Sequence, residues 1–159
     1  MKSALFACLA LAVGTLALAA CDSGKSTAAA SSEARQTISV SDGRLVLPAV
    51  RGNPGAVYLT VHNPTANPAM ISGAEVRGAG SAMIHRSTMS GGVSGMEMLA
   101  QVAVPAKGEL AFAPGDLHLM AMDLDPALQK GGKTEASLTF AGGAKVGFPV
   151  EILAAGDAR

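Results

Sequence analysis

The stretch Pro114–Leu124, PGDLHLMAMDL, decides how this chain is read. Pro114-Gly115-Asp116 signals a turn, and the residues after it alternate. In a β-strand successive side chains point to opposite faces, so His118, Met120 and Met122 share one face while Leu117, Leu119 and Ala121 share the other. One face can be core; the other carries an imidazole and two thioethers.

Outward from that strand, the chain from Thr37 to about Leu153 is punctuated as an all-β domain, with short apolar or alternating runs separated by Gly, Pro and Asn turns. The patterning predicts strands at Thr37–Val40, Arg44–Ala49, Ala56–His62, Ala69–Glu75, Ala82–Thr88, Met96–Val102, Glu109–Ala113, Leu117–Asp123, Thr134–Phe140 and Val146–Ile152. Asp125–Lys130 fits a single helical turn before Gly131-Gly132. No sustained helical period occurs, and the strand spacing implies a Greek-key sandwich or barrel.

The chain of 159 residues holds one ordinary domain once its non-globular ends are set aside. Twelve Lys and Arg balance twelve Asp and Glu, so no basic excess points to nucleic acid. Trp is absent and Tyr58 is the sole tyrosine, which leaves little material for base stacking or an aromatic box.

Residues 1–20 read as a bacterial export signal, with Lys2 at the start and an apolar run from Leu5 to Leu18. Leu18-Ala19-Ala20-Cys21 is similar to the lipobox of bacterial lipoproteins, in which the cysteine is lipidated and begins the mature chain. Cys8 is then discarded, Cys21 is modified, and no free thiol or disulfide remains. The alternative is a plain secretory signal that leaves Cys21 as a stray thiol. Residues 21–36, small and rich in Ser and Ala, read as a flexible tether. The predicted location is the periplasm, lipid-anchored to a membrane, with Asp22 after the cysteine pointing to the inner one. Residues 154–159 form a short tail.

Seven methionines survive signal removal, and six of them fall between Met83 and Met122. Methionine commonly fills gaps in cores, and Met70 and Met83 suit that role. In IHRSTMSGGVSGMEML, however, His85, Met89, Met96 and Met98 surround a Gly-rich loop with no obvious core to fill. Thioether sulfur with imidazole nitrogen is the donor set that Cu(I), a soft ion, prefers. Outside the cytoplasm paired thiolates tend toward disulfide, whereas thioethers bind without deprotonation. Structural zinc wants more Cys or His, and a blue-copper centre needs a Cys thiolate. A site of this composition should hold copper rather than cycle it.

His85, ten residues, Met96, twenty-one residues and then His118-Leu119-Met120 resembles the signature of the PCuAC family of periplasmic copper chaperones. AVYLTVHN at Ala56–Asn63, Pro114-Gly115 and the LTF of Leu138–Phe140 are similar too. The resemblance implies a cupredoxin-like β-sandwich that binds one Cu(I) through His85, Met96, His118 and Met120. It implies transfer toward the CuA centre of cytochrome c oxidase subunit II, often with Sco-type proteins. Met89, Met98 and Met122 are expected around the site, and His62 as a solvated turn histidine. The chain departs from common members in its lipid anchor and in ending on AAGDAR, without a His/Met-rich tail that could hold Cu(II).

Three other readings compete. One is a copper buffer or uptake protein that does not feed oxidase. A second is an envelope β-sandwich interaction protein with incidental methionines. An enzyme would need a nucleophile and base, and no serine-hydrolase elbow is present.

Overall fold

The computed structural model describes residues 37–157. The export signal, Cys21 and the tether lie outside the described residues. Ten strands follow in chain order: β1 (Ser39–Val46), β2 (Gly55–Asn63), β3 (Ala69–Val76), β4 (Ser81–Ser90), β5 (Val93–Leu99), β6 (Val102–Val104), β7 (Gly108–Phe112), β8 (Leu117–Met122), β9 (Lys133–Phe140) and β10 (Lys145–Leu153). The fold is all-β, with the Greek-key order β5-β4-β8-β2-β1-β10-β9-β3-β6, and β7 also on β2. The β1–β10 pair is parallel, so the sheet is mixed.

Period-two patterning builds these strands. In β2, GAVYLTVHN, every second residue from Gly55 through Val57, Leu59 and Val61 to Asn63 is buried. In β10 the inward set is Phe148, Val150 and Ile152, and in β9 it is Ala136, Leu138 and Phe140. These residues join Leu45, Ile71, Ile84, Phe112, Leu117 and Leu119 in one hydrophobic core. Burying such a side chain stabilises the fold by about 1.5–3 kcal/mol.

Three local expectations are corrected. Thr37–Val40 and Arg44–Ala49 are not separate strands but parts of β1, joined across a bulge between Ser41 and Arg44 where Asp42 takes φ 57°. The extra residues re-aim the strand without ending it. Met96–Val102 is divided instead: β5 ends at Leu99, and β6 starts at Val102 to pair with β3 rather than β4. Asp125–Lys130 is a turn, not a helical one. The Asp125 side chain accepts from the Ala127 amide at 2.8 Å and its carbonyl accepts from Leu128 at 3.0 Å, an Asx-type arrangement that competes with helix.

The path β4-β8-β2-β1-β10-β9-β3 closes on itself through the Ala74↔Ala82 pairing of β3 with β4. The β5 strand lies outside this ring and, among the described residues, pairs with β4 alone. Consequently β4 pairs with β8 from Ser81 to Arg86 and with β5 from Ile84 to Ser90, and has both as neighbours at Ile84, His85 and Arg86.

Candidate metal centre

The Leu117, Leu119 and Ala121 face of β8 is buried in the core. His118, Met120 and Met122 therefore point to the other side of the sheet. On antiparallel β4 the facing residues are fixed by register: His85 opposes His118, Met83 opposes Met120 and Ser81 opposes Met122. Ile84, between Met83 and His85, goes into the core. The two histidines, thirty-three positions apart, thus become direct cross-strand neighbours.

Their rings lie 6.1 Å apart between centroids, tilted by 40°. Two metal–nitrogen bonds of about 2 Å each, added to the ring radii, sum to about that distance along a straight line, and a bent four-coordinate arrangement draws the rings about 1 Å closer. His118 is 6% exposed, and its Nδ1 donates to the Asp116 carbonyl at 3.0 Å. A carbonyl only accepts, so Nδ1 carries a proton there and Nε2 is the nitrogen left to face a metal. The same carbonyl accepts the Ser87 amide at 3.1 Å, which ties this turn to β4.

His85 is the opposite case. Both of its ring nitrogens are buried and neither has a hydrogen-bond partner. Burial first, and the neighbouring His118 second, hold its pKa below the ordinary histidine value. A neutral imidazole with an unused lone pair results. Leaving such a group buried and unpaired costs about 1–3 kcal/mol.

The methionines come from three strands. Met120 is half-buried on β8 beside the His pair. On β5, Met96 opposes Ser87 and Met98 opposes His85 itself. Both are exposed, at 62% and 63%, while Leu99 turns toward the core. Met89 is exposed nearer the hairpin tip, and Met122 is half-buried opposite Ser81. Met83, read from sequence as core filling, instead stands on the histidine face opposite Met120. Among the described residues no three His, Cys, Asp or Glu converge, so the donors at this face are neutral nitrogen and sulfur.

The sequence contained a signal for the β5 register that the Gly-rich reading missed. Gly91 and Gly92, at φ 59° and 81°, form a two-residue hairpin turn between Ser90 and Val93. Positive φ at both central positions is the demand of a tight hairpin. Counting back from Ser90↔Val93 reaches His85↔Met98.

The sequence model of the LpqE-like family, described as "Putative lipoprotein LpqE-like", matches residues 38–152. The chain belongs to the LpqE-like family. Membership of this lipoprotein family places it in the periplasm, anchored at a membrane. One relative, "Putative lipoprotein Lxx21020" of Leifsonia xyli subsp. xyli (strain CTCB07), is 31% identical over 99 residues. That match covers 60% of each protein, so the chain spans about 60% of the curated relative's length.

Solved structures extend the comparison. The apo PCuAC domain from PmoF1 is 25% identical, with a TM-score of 0.60 over 74% of this chain and 93% of that one. The Cu(I) form of DR1885 from Deinococcus radiodurans is 27% identical, with a TM-score of 0.58 over 78% and 81%. The copper-bound PCuAC domain from PmoF2, at 19% identity, shares the fold with a TM-score of 0.61 over 74% and 92%. The LpqE-like chain thus has the all-β, cupredoxin-like fold of these PCuAC domains.

His62, expected in a solvated turn, is a strand residue of β2. It bonds Ser41 Oγ through Nε2 and Glu109 Oε1 through Nδ1, each at 2.8 Å, and so links β1 to β7. Its place is far along β2 from the residues that pair with β8.

Proposed function

We propose that this protein binds one Cu(I) as cargo through His85, Met96, His118 and Met120 and passes it on by ligand exchange. The observation that carries this reading is the cross-strand pair of His85 and His118, with free imidazole lone pairs set among thioethers. A neutral soft donor set favours Cu(I) over Mg(II) and Ca(II), which want oxygen. The copper-bound states of the PmoF2 domain and DR1885 support the same reading.

Transfer needs an accessible ligand. His118 is held by its backbone bond, whereas Met96 is exposed on the outlying β5 strand. An acceptor ligand can displace that thioether first, and thiolates in the acceptor make the exchange favourable. The acceptor proposed is the CuA site of cytochrome c oxidase subunit II, reached directly or through a Sco-type protein. Retention of copper in the presence of both would favour the buffer reading.

The test is anaerobic Cu(I) titration of the mature chain in detergent against a chromogenic chelator. Wild type is expected to hold one equivalent, and His118→Ala and Met120→Ala to lose affinity by about tenfold or more. Equal chelator competition by all three proteins, or none by wild type, sinks the proposal.

A further inference from the structure

The His face holds more thioethers than one copper ion can use. With His85, His118 and Met120 in place, a four-coordinate ion has a single position left, and two β5 methionines reach for it. Alternation along β5 puts Met96 and Met98 on one face and Glu97 on the other. Register then ranks them. Met98 is the direct cross-strand neighbour of His85, whereas Met96 faces Ser87 and lies on the diagonal. Direct neighbours have Cβ atoms about 4.5–5.5 Å apart, against about 7–8 Å on a diagonal that long side chains still cover.

Neither methionine belongs to the core, and their exposures are nearly equal. Met98 also lines, with Met83, a cleft of about 200 Å³ where β4 exchanges β3 for β5 as its partner. We propose that Met98 is a fifth copper-ligating residue, which alternates with Met96 for one coordination position. This rests on the copper reading of the same site. In each exchange one Cu–S bond breaks as another forms; copper stays Cu(I), both thioethers stay neutral and no proton moves. The ion therefore keeps its full donor number while the outer thioether is replaced.

The experiment is a double-mutant cycle on the mature chain in detergent, with Met96→Leu, Met98→Leu and the double variant titrated anaerobically with Cu(I) against the chelator. Leucine keeps the volume of methionine, and circular dichroism verifies folding. Each single variant is expected to stay within about tenfold of wild type, while the double loses about a hundredfold or more beyond the product of the two. X-ray absorption of copper-loaded Met96→Leu should still count two sulfurs. If Met96→Leu alone falls as far as the double variant, or loses one sulfur, Met98 is no ligand and the inference is overturned. Failure of wild type to hold Cu(I) would instead remove the parent reading.

Discussion

Asn63 and His85 both bury polar side-chain atoms, with opposite accounts. Asn63, 1% exposed, donates to the carbonyls of Asn67, Val104 and Pro105 and accepts from the amide and hydroxyl of Thr65. Its amide pins the β2–β3 turn to the end of β6. Replacing it with Ala strands several of those groups, and urea unfolding of Asn63→Ala should show a loss of about 2–4 kcal/mol. His85 makes no such bonds, so apo His85→Leu should be at least as stable as wild type while Cu(I) affinity collapses. The sign of its pH effect follows. Folding lowers the His85 pKa, so the unfolded chain binds the proton more readily. Its contribution to apo stability is present above the ordinary histidine value of about 6.5 and is lost as pH falls through the folded value. Denaturant midpoints measured across pH 5 to 8 should therefore decline on the acid side, and His85→Leu should remove part of that decline.

Among the elements, the strand interiors were legible because alternation and burial agree, as in Val57, Leu59 and Val61 of β2. The junctions were not. Whether Asp42 and Gly43 end a strand or bulge it depends on what packs beside them, and here that is β10. A Cβ on Gly43 would collide with the Pro149 carbonyl, so Gly43→Ala should cost about 1–3 kcal/mol in thermal or urea unfolding. The site divided in the same way. His118 and Met120 lie two apart on one strand, and alternation alone puts them together. His85 came from a motif match, and its contact with His118 exists only through the β4–β8 register, a pairing between distant segments that local pattern does not determine. Met83 was misplaced for that reason: half-buried on a strand next to Ile84, it looks like core until its partner is known to be Met120.

For the whole molecule, the lipoprotein family assignment and the fold together describe a closed ring of strands at a membrane in the periplasm. If Cys21 is the anchor, Cys21→Ser should move the protein from the membrane pellet to the soluble fraction without altering Cu(I) stoichiometry. The ring also divides the labour of the site. Both imidazoles and Met120 project from β4 and β8, two of its walls, while Met96 and Met98 hang on β5, a flap fastened along one edge. Hydrogen exchange should find β8 amides protected near the global limit and β5 amides opening earlier. On the proposed ligand set, three of the four donors are then as durable as the fold, and the fourth can be peeled back at the cost of one strand's pairing. The force needed to loosen the proposed cargo is that of unzipping a hairpin, and an acceptor able to grasp β5 would hold the key as well as the lock.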